Sequence, residues 1–214
     1  LFYAFVLCLF INPNITKFSQ KIITKKNASI AAPIIVIGIL PFIAKFGTLI
    51  GPALPKIAEA GSAMILQELG NLGTMLIAMP IAVIVFKMGR EAIGSTYSIA
   101  REPNIALISD RYGLKSKEGI GVMGVYVMGT MFGTIYFALL AGFLATTGWF
   151  DPRALAMACG VGSGSMTAAC SGTLATAFPT MKDEILAFAG ASNLLTNATG
   201  LYVAIFIALP FSEW

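Results

Sequence analysis

Residues Met88–Pro103 read M-G-R-E-A-I-G-S-T-Y-S-I-A-R-E-P, and they interrupt a chain that is otherwise strongly apolar. They directly follow the long apolar run Ala63–Phe86 and combine glycine, hydroxyl side chains and two copies of Arg-Glu. A second interrupted stretch, Met157–Pro179, reads M-A-C-G-V-G-S-G-S-M-T-A-A-C-S-G-T-L-A-T-A-F-P. Glycine permits backbone geometries that other residues resist, and Ser or Thr hydroxyls can satisfy backbone groups where a helical ladder is broken. The sequence therefore predicts two glycine-broken, discontinuous helices, one in each half of the chain.

The composition indicates that these stretches lie in a membrane. Of the 214 residues, 57% are hydrophobic and only 11% are charged, whereas soluble domains carry about 25% charged residues. We expect an all-α fold, a polytopic transmembrane helix bundle in which residues 1–214 form a single transmembrane domain. The apolar run Leu1–Ile11 is about half of what a bilayer core of roughly 30 Å requires, so we expect the chain to be a fragment of a longer protein.

Basic residues between the apolar runs predict how the bundle is oriented. Asn12–Asn27 carries four lysines and no acidic residue, and Gly89–Glu118 also has a basic excess, so both are expected on the cytoplasmic side. The net charge of +4 is explained by this orientation, and no nucleic-acid partner is expected. The expected crossings are Leu1–Ile11, Ala28–Gly47, Ala63–Met88, Gly119–Gly148, Arg153–Pro179 and Ile185–Phe211.

Two residue types argue against catalysis. Histidine is absent, which removes the usual general base and the commonest metal ligand. Cys8, Cys159 and Cys170 all lie in apolar or glycine-rich segments, so we expect small buried hydrophobes rather than a disulfide framework or a metal cluster. The chain is therefore expected to be neither an enzyme nor a metalloprotein, with no catalytic residue.

The first interrupted stretch carries candidate substrate-binding residues. Arg90 and Arg101 lie eleven residues apart, about three helical turns, and would share one face of an intact helix. A substrate carboxylate could face either arginine, with the hydroxyls of Ser95, Thr96 and Ser98 beside it. The alternative is a charged cytoplasmic helix outside the membrane, because charges usually mark solvated surface.

The second interrupted stretch offers a row of hydroxyls. Gly160–Gly164 resembles a phosphate loop only superficially, because Ser165 stands where the dinucleotide fingerprint needs glycine and no strand-helix unit surrounds it. Nucleotide binding is therefore set aside. One interpretation is a polar cavity lined by hydroxyls, namely those of Ser163, Ser165, Thr167, Ser171 and Thr173. The other is a helix of small residues made for tight packing.

A third set of polar residues is a candidate for cation coupling. Gln67, Glu68 and Asn71 share one face of the helix expected over Ala63–Met88. A carboxylate inside a span is costly and so marks a functional site, whereas near the outer end of the helix it would be merely interfacial. The full candidate set is Glu68, Asn71, Glu91, Glu102, Asn193 and Asn197.

Two segments carry a resemblance to known families. They are Gly89–Gly113, which reads G-R-E-A-I-G-S-T-Y-S-I-A-R-E-P-N-I-A-L-I-S-D-R-Y-G, and Gln67–Thr74, which reads Q-E-L-G-N-L-G-T. Nearly the whole chain resembles a prokaryotic integral-membrane family catalogued only as a domain of unknown function. More distantly, it is similar to glutamate/sodium symporters and lysine exporters of the cation antiporter/anion transporter superfamily. That similarity implies inverted repeats, crossing broken helices, often a homodimer, and ion-coupled transport of a small charged solute.

These observations lead to one functional hypothesis and one alternative. The hypothesis is a multi-pass secondary transporter in the prokaryotic cytoplasmic (inner) membrane that moves a small organic ion, a carboxylate if an arginine faces the cavity. Its partners are the lipid bilayer and the solute, Na+ or H+ is the coupling ion, and no cofactor is expected. The alternative is a non-transporting multi-pass membrane protein, either a small channel or a structural subunit.

Overall fold

The structure is a computed structural model that describes residues 7, 10–12, 16–21, 23–24, 41, 48, 51–52, 54–55, 57–97 and 99–213. All of the expected crossing at Ala28–Gly47 except Pro41, most of that at Leu1–Ile11, and Ser98 lie outside the described residues. The chain divides into two compact units, Leu1–Thr48 and Leu49–Trp214. In the first unit a 3-10 turn covers Ser19–Lys21. The single transmembrane domain stays a prediction.

The described residues are helical and include no strand. In the second unit the helices are α1 (Gly61–Gly73), α2 (Glu91–Thr96), α3 (Arg101–Arg111), α4 (Lys117–Met128), α5 (Thr134–Thr147), α6 (Pro152–Gly160), α7 (Gly164–Ala177), α8 (Lys182–Val203) and α9 (Leu209–Glu213). The prediction of an all-α fold is thus confirmed for these residues.

Three stretches of helix are long and apolar enough to cross a membrane, judged by length and composition among the described residues. They are Gly61–Val85, Lys117–Thr147 and Pro179–Glu213. Each contains π-helical turns, which widen the helix by one residue per turn and often mark functional segments. Those turns cover Thr74–Ala78, Ile81–Val85, Gly129–Gly133 and Ala204–Ala208.

Local sequence signals explain several helix ends. Asp151 accepts a hydrogen bond from the backbone N–H of Arg153 at 2.8 Å, and Pro152 occupies the first helical position of α6. Ser116 accepts a bond from the N–H of Gly119 at the start of α4. Helix α5 ends at Gly148 with φ of +66°, a left-handed conformation that glycine adopts without steric cost.

Helix α8 is the support on which both interrupted stretches pack. A Cβ on Gly160, the last residue of α6, would lie 2.4 Å from the Cβ of Ser192 on α8. A Cβ on Gly200, two turns further along α8, would lie 2.8 Å from the Cβ of Ala100, directly before α3. Glycine therefore allows α8 to approach both places at which helices end or begin.

The apolar side chains divide between two cores and a wide exposed surface. One core surrounds α6 and α7 and includes Leu155, Leu174 and Phe188, and the other surrounds α2 and α3 and includes Ile93 and Ile108. Outside these cores, large apolar side chains on the three long helices are exposed, among them Ile65, Leu69, Ile84, Phe132, Leu139, Phe143 and Phe206. Exposed apolar surface on this scale marks contact with a membrane or with another protein.

Candidate functional site

The two interrupted stretches meet at Arg101. Helix α2 ends at Thr96, the backbone of Ala100 is extended, and α3 begins at Arg101. Helix α6 ends at Gly160, and α7 begins at Gly164 after the extended residue Ser163. Arg101 is 8% exposed, and its Nη1 donates to Ser163 Oγ at 3.0 Å. One side chain thus joins the first residue of α3 to the residue that precedes α7.

Arg101 is also anchored to the Lys117–Thr147 helix. Its Nη2 donates to the carbonyl oxygen of Tyr126 and to the hydroxyl of Thr130. Its guanidinium carbon lies 4.3 Å from the centroid of the Tyr126 ring, within the range of a cation–π interaction. The planar guanidinium therefore fixes three segments of the fold relative to one another, which a lysine could not do with the same geometry.

The second interruption is lined by hydrogen bonds among Ser163, Thr167 and Asn193. Ser163 Oγ lies 3.2 Å from Ser165 Oγ, and the hydroxyl of Thr167 donates to the carbonyl of Ser163 at 2.9 Å. Asn193 Nδ2 on α8 donates to the carbonyl of Gly160 at 3.0 Å and reaches Thr167 Oγ1 at 3.3 Å. The carbonyl at the end of α6 is thereby satisfied by a side chain, as a buried backbone group without a helical partner requires.

Asn197 extends this network by one turn of α8. Its Nδ2 donates to the carbonyl of Asn193 at 2.8 Å and to the Oδ1 of Asn193 at 3.2 Å. The structure therefore brings Arg101, Ser163, Ser165, Thr167, Asn193 and Asn197 into one connected cluster.

A second polar cluster surrounds Glu68. Its Oε1 accepts a hydrogen bond from Thr196 Oγ1 at 2.8 Å, and its Oε2 accepts bonds from Asn71 Nδ2 at 3.0 Å and from Thr199 Oγ1. Glu68 and Asn71 thus both face α8, with Glu68 half-buried and Asn71 buried. Beside it, Gln67 Nε2 donates to Ser192 Oγ at 2.8 Å.

Arg90 and Glu91 lie at a different level of the fold from Arg101. Arg90 pairs through Nε with Glu118, and its side chain is 59% exposed. Glu91 is 4.0 Å from the Nζ of Lys117. Glu118 and Tyr126, the α4 partners of Arg90 and Arg101, are eight residues apart, about 12 Å along a helix.

This separation has a structural cause. An intact helix would have placed Arg90 and Arg101 on one face, but the chain leaves the helix after Thr96 and the two arginines belong to different helices. The hydrogen bond to the Glu118 carboxylate raises the pKa of Arg90 further above its already high ordinary value. Arg90 therefore pairs with a buried carboxylate from the exposed side in this conformation.

The remaining candidates are placed as follows. Ser95 donates to the carbonyl of Glu91 at 3.0 Å, and Thr96 donates to the carbonyl of Ala92 at 2.7 Å, so both hydroxyls bond to their own helix. Both residues line an open groove of about 560 Å³ beside the π-helical turns of Thr74–Ala78 and Ile81–Val85. The side chain of Glu102 and the whole of Ser98 lie outside the described part of the structure.

The prediction that the cysteines form no disulfide is wrong for two of the three. Cys159 and Cys170 form a disulfide with a Cα–Cα distance of 5.4 Å. The bond joins the end of α6 to the middle of α7 across the interruption at Val161–Ser163. Gly162, with φ of +95°, lies in the turn that brings the two half-helices back on each other, and sequence spacing alone does not show that approach.

Five residues of these clusters are absent from the set of sequence candidates: Tyr126, Thr130, Ser192, Thr196 and Thr199. The signal for three of them is present in the sequence. Ser192, Thr196 and Thr199 recur every three or four residues in an apolar helix, and so share one face. Tyr126 contributes a backbone carbonyl and a ring face, which have no sequence signal.

Comparison with known proteins gives one match. A family model described as "Protein of unknown function (DUF3100)" matches residues 1–214. No curated protein and no solved structure matches the chain significantly.

Proposed function

The chain belongs to the DUF3100 family of proteins of unknown function, and we propose that it is an ion-coupled secondary transporter of a small organic anion in a prokaryotic cytoplasmic membrane. The proposal includes a polytopic bundle in which α2–α3 and α6–α7 are discontinuous membrane helices. The distant similarity of the sequence to glutamate/sodium symporters and lysine exporters supports the same function.

One observation carries the proposal: the two interruptions meet at the Arg101–Ser163 contact, and two helices begin there. Helix α3 starts at Arg101 and α7 starts at Gly164, so the N–H groups of both first turns lie close to this contact. Helix N-termini carry partial positive charge and attract anions. Together with the guanidinium, they favour a carboxylate as the transported group, as half-helix ends do in secondary transporters.

The two interrupted stretches have a similar layout, which supports an internal repeat. In each, a short helix precedes a longer one: α2 has 6 residues and α3 has 11, while α6 has 9 and α7 has 14. Both stretches pack on α8 next to a glycine, Gly200 for the first and Gly160 for the second. In transporters built from inverted repeats, the binding site lies where two such discontinuous helices cross.

One set of contacts favours the alternative, a structural subunit that transports nothing. Ser95, Thr96, Ser171 and Thr173 donate to carbonyls of their own helices, as hydroxyls do in tightly packed membrane helices. On this view Arg101 is a cross-link that fixes the bundle and binds no solute.

Uptake by reconstituted full-length protein separates the two functions. Proteoliposomes would be supplied with radiolabelled acetate, lactate, succinate, citrate and glutamate under an imposed sodium or proton gradient. We expect gradient-driven uptake of at least one of these carboxylates, reduced about tenfold or more in Ser163→Ala, which removes a neutral contact of Arg101. Absence of uptake for all five compounds under both gradients would favour the structural subunit.

A further inference from the structure

The carboxylate of Glu68 lies between α1 and α8 with no positively charged partner among the described residues. It accepts three hydrogen bonds, from Asn71, Thr196 and Thr199, and donates none, as an ionised carboxylate does. An isolated negative charge within a membrane helix is expensive, and such residues are usually paired or functional. The surroundings therefore favour a positively charged ligand at this position.

A buried oxygen beside Glu68 points to the same ligand. Asn71 is only 4% exposed, and its Oδ1 has no hydrogen-bond partner in the described part of the protein. Its Nδ2 is 3.0 Å from Glu68 Oε2, so the same amide group faces the carboxylate. The Oε1 of Gln67, on the same face of α1, is also buried without a hydrogen bond. Buried carbonyl oxygens without donors are rare in folded proteins, and a bound ion or water is one explanation for them.

We propose that Glu68, Asn71, Thr196 and Thr199 bind a sodium ion. This ion is the coupling ion of the transporter proposed above, and its coupling role rests on that proposed function. The charge of the site fits a monovalent cation, because one carboxylate neutralises one positive charge. A divalent cation would leave a net charge in a low-dielectric region. The ligands are carboxylate, amide and hydroxyl oxygens, the donor types that hard cations prefer.

The site can accept the ion if the Thr199 hydroxyl and the Asn71 amide rotate. The Thr199 hydroxyl lies 2.9 Å from the carbonyl of Leu195 as well as against Glu68, so its proton can turn to Leu195 and leave an oxygen lone pair for sodium. A half-turn of the Asn71 amide exchanges its NH2 group for Oδ1 beside the carboxylate. After that rotation the Asn71 oxygen can serve as a ligand of the sodium ion.

The position of the site on α8 explains how ion binding could reach the solute. Thr196 is three residues from Asn193 on the same helix, and Asn193 holds the carbonyl of Gly160 at the second interruption. Sodium would draw α1 onto α8 through Glu68 and Thr196. The same movement of α8 would change the support for the Gly160–Ser163 backbone that contacts Arg101.

The test is sodium-dependent thermal stability of purified full-length protein in detergent, with choline chloride keeping the ionic strength constant. A ligand that binds only the folded state raises Tm with the logarithm of its concentration. We expect sodium to do so and potassium to be at least about tenfold weaker. Thr199→Val removes a ligand oxygen at nearly constant shape and should weaken the apparent sodium affinity about tenfold or more. Thr199→Ser keeps the oxygen and should retain the affinity.

Two carboxylate variants make the assignment specific. Glu68→Gln should lose the sodium response, whereas Glu59→Gln, which changes an exposed carboxylate, should keep it. Asn71→Asp adds a second negative charge and should shift the preference towards Ca2+. The proposal is overturned by a wild-type Tm that is independent of sodium, by a sodium response that survives Glu68→Gln, or by an unchanged ion preference in Asn71→Asp.

The binding and uptake experiments fail independently. Sodium binding without uptake of any carboxylate would leave the ion site standing and contradict transport. Proton-driven uptake in a protein whose stability ignores sodium would support transport and contradict the sodium site, with a proton on Glu68 as the alternative.

Discussion

The two interrupted stretches reach a similar shape by different means. The second, α6–α7, adds local features to its contacts with α8: Asp151 caps its start, Gly162 has φ of +95° in the turn, and a disulfide joins its two halves. The first, α2–α3, has no side-chain cap on either helix and depends on distant contacts. Tyr97 is fully buried, its hydroxyl donates to the carbonyl of Asn104 at 2.7 Å, and Arg101 reaches across to Tyr126. The α6–α7 interruption should therefore tolerate the loss of one distant contact better than the α2–α3 interruption.

The largest expected effect is at Arg101. Arg101→Ala removes the bonds to Ser163, Tyr126 and Thr130 together with the ring contact, and should reduce the free energy of unfolding by about 3 kcal/mol or more. The matched control is Arg111→Ala on the same helix, where the pair with Glu213 is partly exposed and is worth at most about 1 kcal/mol. Thermal unfolding in detergent measures both. Equal losses would mean that Arg101 does not hold the first interruption.

Reduction of the disulfide should have the next largest effect. Cys159 and Cys170 are 11 residues apart in the sequence. A disulfide that closes a loop of this length raises the free energy of unfolding by roughly 3 kcal/mol, so reductant should lower the Tm of the wild type. The double variant Cys159→Ser, Cys170→Ser should start from the lower Tm and show no response to reductant. If reductant leaves the wild-type Tm unchanged, the second interruption is maintained without this bond.

A close backbone approach in the first region predicts a smaller loss. A Cβ on Gly121 would lie 2.1 Å from the carbonyl oxygen of Glu91, so Gly121→Ala forces α2 away from α4 at a cost of about 1–3 kcal/mol. Gly124 on the same helix has nothing within 4 Å of such a Cβ, and Gly124→Ala should be neutral or slightly stabilising. A difference in Tm between the two variants checks the packing, and identical values would contradict it.

The smallest effect is at the helix cap of the second region. Asp151→Ala removes the bond to the N–H of Arg153 and should reduce the free energy of unfolding by about 1 kcal/mol. Asp151→Asn retains an accepting oxygen and should lose less. A loss as large as that of Arg101→Ala would show that α6 depends on its cap more than on its packing.

This contrast explains what could be predicted from the sequence. The second interruption is visible because Gly160, Gly162 and Ser163 carry it themselves, and its Asp-Pro start is a local signal. The long apolar helices are equally visible from composition. The position of Glu68 against α8 was open in the sequence between a buried and an interfacial site.

The residue at which α2 ends could not be predicted from the sequence. Tyr97 has no strong tendency to end a helix and Ala100 none to precede one, and in the fold Tyr97 is fully buried and Ala100 packs on Gly200. The expected common face of Arg90 and Arg101 failed for this reason. The disulfide and the Tyr126 contacts depend on chain segments that meet only in the fold, so residue spacing could not reveal them.

The most direct test of the proposed binding site between the two interruptions is the accessibility of a single cysteine introduced at position 163. Ser163 is 1% exposed in this conformation. Ser163→Cys would be placed in full-length protein with Cys8 replaced by serine and the Cys159–Cys170 disulfide retained, with Thr176→Cys as the exposed control on α7. A membrane-impermeant maleimide would be applied from each side of the membrane. If the chain is the proposed transporter, Ser163→Cys should react from both sides and should be protected by a transported carboxylate, because the two interruptions would open to water in turn. Reaction of Thr176→Cys alone, with no labelling of Ser163→Cys from either side, would mean that the Arg101–Ser163 contact is packed structure and that the shared binding site does not exist.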